Sequence, residues 1–193
     1  MVTQRAASLH ADIGEVLLTP ETIAQRVGEL GRELAGDYAD KRPLVVGTLK
    51  GAVVFMADLV RAIEPVPAGL SLEFIRASSY GAGTVSSGKV ALGGTLAAAD
   101  IAGRHVLLVE DIVDSGRTAV ALVDHFKAAG AASVKMASLL SKPARRTCAY
   151  KPEYLCFEVE DKFVVGYGLD FDEQYRSLPY VGVLRPELYT GFE

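Results

Sequence analysis

Cysteine is scarce: the chain carries two, Cys148 and Cys156, among 193 residues. Two widely spaced thiols make neither a disulfide framework nor a zinc cluster, and they read as reduced thiols of a cytosolic protein. The three histidines, His10, His105 and His125, have no acid or cysteine at metal-ligand spacing and read as structural or surface residues. A basic excess is also missing. The formal net charge of −4 excludes a chain-wide nucleic-acid footprint, while a local basic pocket for phosphates remains compatible with it. No run approaches the ~20 apolar residues that span a bilayer. The segment from Met1 to Gly14 contains Arg5 and His10 but no apolar h-region, so no signal peptide and no membrane partner are expected. Internal repeats, heptads and low-complexity tracts are absent. So are the G-x-x-x-x-G-K-[ST] loop and the G-x-G-x-x-G fingerprint, which excludes two common nucleotide-binding designs.

What is present builds a core. Half the residues are hydrophobic (50%) and 23% are charged, which suits one folded domain at roughly 150 residues per domain. Thr19 and Pro20 read as N-cap and first residue of a helix. Ile23, Val27, Leu30 and Leu34 follow at helical spacing, and Gly36 can end the helix. Pro43–Leu49 is a short apolar strand. Val53, Met56, Ala57, Val60 and Ile63 form a second helical stripe, stopped by Pro65. Leu70 to Arg76 reads as a strand. The polar, glycine-rich stretch from Ser78 to Gly94 reads as a mobile functional loop with a brief strand at Val90–Leu92; a disordered surface excursion is the alternative. His105 to Val109 is apolar throughout, as in a strand covered on both faces. A helix through Ala119, Val123 and Phe126, closed by Gly130, leads to a strand at Ser133–Leu140. Further strands are expected at 154–159 and 163–167. Strand, helix and strand in this order predict an α/β domain with a central, mostly parallel sheet.

The chemistry concentrates in Val106 to Thr118, where an apolar strand ends in Glu110 and Asp111, a loop carries Asp114, and a helix follows at once. Ligands of open α/β sheets bind beyond the carboxyl ends of strands. The loop from Asp114 through Ser115, Gly116, Arg117 and Thr118 offers successive backbone N–H groups, two hydroxyls and a helix N-terminus, which together cradle one phosphate. Adjacent carboxylates suit a ligand that also presents ribose hydroxyls or magnesium, so the pattern describes a ribose 5-phosphate site. The plain alternatives are that Glu110 and Asp111 are solvated loop acids and that Asp114 is a helix cap.

Segment 106–118 resembles the phosphoribosyl-pyrophosphate signature of type I phosphoribosyltransferases. Leu49-Lys50-Gly51, Ser79-Tyr80, Lys142, Lys162 to Tyr167 and Asp170 to Arg176 resemble its hypoxanthine-guanine branch, in the same order. The resemblance covers the chain from about Leu17 to Val183. Arg117 stands where some members carry lysine, at a position that acts through its backbone. The resemblance implies that fold, a lid loop over about 78–94 and a small hood made of about 1–18 plus 150–193. It implies transfer of a phosphoribosyl group to hypoxanthine or guanine with magnesium, in a cytoplasmic homodimer or homotetramer. Asp114 would handle the purine proton. Glu110 and Asp111 would hold ribose and, with Asp170, magnesium. Ser115 to Thr118 would bind the 5-phosphate. Lys50, Gly51 and Arg176 would bind pyrophosphate, with a cis peptide before Lys50. Lys142 would donate to the purine 6-oxo group, Phe163 would stack on the base, and Val164 backbone and Asp170 would meet its edge. Ser79 and Tyr80 would belong to the lid, whereas Asp172 and Glu173 read as solvated acids.

Three other readings stay open. A nonenzymatic sensor of phosphoribosyl pyrophosphate on the same scaffold should lose the base-side and leaving-group residues, yet Lys50, Asp114, Lys142 and Arg176 are all present. A transferase for another base is a second; an ammonium at Lys142 disfavours adenine and leaves xanthine open. An unrelated nucleotide-binding module would make the later motifs coincidence.

Overall fold

A computed structural model describes residues 10–79, 90–93 and 96–189, with the backbone alone given for 77–79 and 90–93. The order is β1 (Ile13–Leu18), α1 (Pro20–Asp37), β2 (Pro43–Leu49), α2 (Val53–Ala62), β3 (Ser71–Ser79), β4 (Val90–Gly93) and α3 (Ala98–Ile101). It continues through β5 (His105–Val113), α4 (Arg117–Ala128), β6 (Ser133–Ser141), β7 (Tyr154–Glu158), β8 (Val164–Val165) and β9 (Val181–Leu184). Local signals start these elements where expected. Thr19 caps α1 by accepting from the Thr22 amide, and Pro20 follows at the first helical turn.

Six strands form the main sheet in the order β4-β3-β2-β5-β6-β7. All its neighbours run parallel except β3 and β4. The central strands alternate faces. Val45, Leu107, Val109, Ala137 and Leu139 pack with Ile23, Val27 and Leu30 of α1 and Phe55, Met56 and Leu59 of α2. Leu44, Val46, Val106, Leu108 and Met136 pack with Ile101 and with Ala119, Leu122, Val123 and Phe126 of α4. Both faces are apolar because both are covered, which is why the period of two is hidden in the sequence. A second sheet, β1-β9-β8, is antiparallel and closes over Ile13, Val165, Tyr180 and Leu184.

The structure shifts three expectations. The strand read as ending at Val109 continues to Val113, because Glu110, Ile112 and Val113 still pair with Ser138, Leu140 and Ser141. Glu110 and Asp111 are therefore strand residues. Residues 154–158, expected in the hood, pair with β6 as the sixth strand of the main sheet, where Tyr154 is buried. The strand expected over 163–167 is two residues long, because the chain turns at once into left-handed backbone at Gly166 and Tyr167. Of the expected lid, Ser79 ends β3 opposite Val90, and Tyr80 lies outside the described residues.

Gly31 lies where α1 meets the end of α2: a Cβ there would stand 2.3 Å from the Ala62 carbonyl oxygen. Gly36, in the last turn of the same helix, has no atom within 4 Å of such a Cβ. Gly31→Ala should therefore cost about 1–3 kcal/mol by overpacking, and Gly36→Ala should gain up to about 1 kcal/mol from helix propensity. Urea denaturation of both variants checks the pair; equal effects would count against this contact.

Candidate active site

Crossovers leave β2 and β5 toward opposite sides of the sheet, β2 to β3 and β5 to β6, so the carboxyl ends of these two neighbours flank the topological switch point. There Gly51, just past β2, meets Asp111 of β5. A Cβ on Gly51 would stand 1.6 Å from Asp111 Oδ2, closer than any side chain allows. A third segment closes on the same spot. Gly168, at φ +102, brings its Cα against the Gly51 carbonyl, where a Cβ would lie 2.1 Å away. The Leu49–Lys50 peptide is cis, as the resemblance implied.

Beneath this junction lie the two carboxylates of β5. Glu110 is 8% exposed and accepts a 2.6 Å hydrogen bond from the Thr48 hydroxyl. Burial, then the neighbouring Asp111 charge, raise its pKa to about 8, against the Thr48 hydrogen bond. Burial likewise raises Asp111, opposed by the Ile112 N–H that donates to its Oδ1 at 2.9 Å and by the Arg176 charge, and reinforced by Asp170. Arg176 pairs with Asp170 at 2.8 Å and donates to the Gly168 carbonyl at 2.8 Å, while its Nε is buried without a hydrogen-bond partner. Among the described residues, no group of three or more His, Cys, Asp or Glu side chains is placed to hold a metal ion. In this substrate-free arrangement Asp170 pairs with Arg176.

Beyond Val113 the chain forms a cavity of about 130 Å³ lined by Glu110, Ile112, Val113, Asp114, Ser115, Gly116, Thr118 and Ala119. Gly116, at φ +85, is the N-cap of α4 and offers no side chain to the helix amides. This rules out Asp114 as the cap; the first amide of α4, that of Arg117, donates to Ser115 Oγ at 3.4 Å. The loop rests on a segment that the sequence reading passed over. Arg146 donates to the carbonyls of Val113 (3.1 Å) and Asp114 (2.7 Å) and to Ser141 Oγ (2.6 Å). Thr147 N and Cys148 Sγ both donate to the Ser115 carbonyl. Arg145 Nε lies 3.1 Å from Asp114 Oδ1 without hydrogen-bond alignment, so this buried oxygen keeps its accepting capacity.

Lys142 stands beside the same loop, its amide donating to the Val113 carbonyl at 3.0 Å. Its buried ammonium donates to the Lys162 carbonyl at 2.7 Å and lies 3.7 Å from Asp161, which Arg145 also reaches at 3.4 Å. Phe163 stacks on Tyr189 at 4.9 Å and meets Phe171 edge-on, remaining 37% exposed. Val164 is buried and pairs with Val183. Lys50 forms an ion pair with Glu173 at 2.8 Å, so Glu173 is not a merely solvated acid. Thus Glu110, Asp111, Asp114 and the 115–118 loop lie along one strand end, with Lys50, Gly51, Asp170 and Arg176 gathered on one side. Lys142, Phe163 and Val164 belong to the chain that follows β6. A cavity of about 680 Å³ lies apart, between α1, α2 and residues 176–179, and Arg176 is the one expected site residue lining it. The residues that sequence reasoning missed are Thr48, Arg145, Arg146 and Asp161. The run Lys142-Pro-Ala-Arg-Arg146 after a strand end was a legible signal for a basic rim.

The burial of Glu110 has a pH consequence. Its unfolded reference is 4.5 and its folded value about 8, so between these the native state holds a proton that the unfolded chain releases. Stability must therefore fall as pH rises through this window. In magnesium-free buffer, Glu110→Gln should remove part of the stability loss between pH of about 5 and about 8. Denaturation curves at both pH values check this; an unchanged loss in the variant would contradict it.

A family model described as phosphoribosyl transferase domain matches residues 15–172. The chain is 47% identical over 184 residues to the hypoxanthine-guanine phosphoribosyltransferase of Streptococcus thermophilus, covering 94% of this chain and 99% of that protein. It is 50% identical over 183 residues to the bifunctional protein TilS/HprT of Listeria innocua; that match covers 95% of this chain, which spans 28% of the relative's length. The hypoxanthine phosphoribosyltransferase of Trypanosoma cruzi, solved in complex with the product IMP, superposes with a TM-score of 0.85 at 36% identity, covering 94% of this chain and 100% of that one. With most of the chain matched by the family model, and a relative matched along nearly its whole length, this chain belongs to the phosphoribosyltransferase family, alongside its hypoxanthine-guanine members.

Proposed function

We propose that the chain serves purine salvage: with magnesium, it transfers the 5-phosphoribosyl group from phosphoribosyl pyrophosphate to N9 of hypoxanthine or guanine, giving IMP or GMP and pyrophosphate. The observation that carries this is the convergence on one strand end. Buried Glu110 and half-buried Asp111 of β5, the helix N-terminus at Gly116 and Lys142, whose amide donates to the Val113 carbonyl, all gather along residues 110–118. A ribose, its 5-phosphate and a base have these three needs.

In this reading the base N9 attacks C1′ of the ribose, and the C1′–O bond breaks with its electron pair leaving on pyrophosphate. The ring proton of the base passes to Asp114, whose Oδ1 is buried with its accepting capacity unspent. Asp111 and Glu110 accept from the ribose hydroxyls, and the 115–118 amides hold the 5-phosphate in place. Lys50 and Arg176 receive the pyrophosphate; a guanidinium fork suits phosphate oxygens. Lys142 has donors only, so it suits a 6-oxo group and not a 6-amino group. Phe163 offers an aromatic face to the base, beside the buried backbone of Val164.

Magnesium fits this donor set. Glu110, Asp111 and Asp170 would supply hard oxygen donors, and the ion commonly completes its shell with water and substrate phosphates. When bound it neutralises leaving-group charge. Ser79 and Tyr80 belong, in this reading, to the lid that excludes water from the reacting centre. No helix among the described residues is long and apolar enough to cross a membrane, in keeping with a cytoplasmic enzyme. The assembly proposed is a homodimer or homotetramer.

Magnesium-dependent nucleotide formation with hypoxanthine, guanine, xanthine and adenine tests the function. Turnover of hypoxanthine or guanine but not adenine is expected. Turnover of xanthine alone would replace the substrate, and tight binding without turnover would indicate a sensor. Asp114→Asn should lower kcat by about 10²–10⁴-fold with the phosphate loop intact; near-normal turnover would remove Asp114 from proton handling. Lys142→Ala should depress 6-oxopurine kcat/KM far more than phosphoribosyl pyrophosphate binding, read by steady-state kinetics with each base.

A further inference from the structure

We propose that Glu173 is an internal stand-in for the leaving group: in the substrate-free protein its carboxylate holds the cations that pyrophosphate later takes, and substrate displaces it. The inference rests on the assignment of Lys50 and Arg176 to pyrophosphate made above. One oxygen, Glu173 Oε2, lies 2.8 Å from Lys50 Nζ and 3.4 Å from Arg176 Nη2. The two cations come from distant parts of the chain, Lys50 from the end of β2 and Arg176 from the turn after β8. An anion that bridges both does what a pyrophosphate oxygen would do there.

The backbone is shaped to hold it. Asp172, Glu173 and Tyr175 have φ of 50, 62 and 72, three left-handed residues in a turn with no glycine. Such conformations are uncommon for these residue types and persist where the surroundings demand them. The turn is closed by the Phe171 and Gln174 backbones donating to each other's carbonyls, and the Glu173 amide donates to Asp170 Oδ2 at 2.9 Å. This amide bond ties the turn to the carboxylate that Arg176 also grips. The left-handed turn thus presents Glu173 toward the site.

The contact is also weak enough to be displaced. The Lys50 and Glu173 side chains are 57% and 62% exposed, and exposed pairs are screened by water and salt. Phosphoribosyl pyrophosphate, with several charges and magnesium, outcompetes one carboxylate. After reaction the tethered carboxylate returns to the cations as pyrophosphate leaves, so Glu173 lowers pyrophosphate affinity and hastens release.

Calorimetric titration with magnesium pyrophosphate tests this in the full chain. Glu173→Gln and Glu173→Ala should each tighten pyrophosphate binding by about three- to tenfold and strengthen product inhibition to match. Asp172→Asn is the control: it removes the same charge from the adjacent residue of the turn, which makes no ion pair with either cation. Unchanged or weaker binding in both Glu173 variants, or equal tightening in Asp172→Asn, would overturn the stand-in role. If wild-type protein binds no magnesium pyrophosphate at all, the assignment of Lys50 and Arg176 fails, and this inference fails with it.

Discussion

Everything at the switch point depends on the approach of Gly51 to Asp111. No Cβ can stand between them, and Gly168 presses on the Gly51 carbonyl from the other side. Three distant segments therefore meet at backbone distance: the end of β2, the end of β5 and the turn after β8. Larger residues at these glycines would wedge the segments apart. The carboxylates, Lys50 and the Asp170–Arg176 pair could then no longer face one small volume.

This closeness concentrates charge in a dry place. Glu110 is buried and Asp111 half-buried beside it, and desolvation favours their neutral forms. Thr48 and the Ile112 amide offset part of that cost with hydrogen bonds. The protein tolerates the remainder at the point to which the proposed reaction assigns the ribose hydroxyls and the cation. On the rim the balance differs. Glu173 is exposed and held by Lys50, which keeps its carboxyl below the usual range. Buried acids await a ligand, whereas an exposed acid occupies the cations until one arrives.

The sequence was informative where a short window contains the whole cause. The 106–118 signature spells a strand, a turn and a helix start in thirteen consecutive residues, and the helix does begin at Arg117. Thr19-Pro20 marked the start of α1 for the same reason. It was less informative where the cause is distant. β5 runs on through Glu110 and Asp111 because β6 lies beside it to receive them, which no local pattern encodes. Tyr154–Glu158 reads as an isolated strand until the sheet shows it paired with β6.

The amino-acid order by itself determined the alternation of strands and helices, the strand-turn-helix of 106–118 and the family. These follow from periodicity, turn chemistry and contiguous motif residues. Tertiary structure alone decided which groups confront one another: Arg146 beneath the loop after β5, Arg145 beside Asp114, and Glu173 against Lys50 across 123 residues of chain. Such meetings depend on strand register and on how crossovers return the chain, so they are set by the packing of the whole domain and not by any one segment of it.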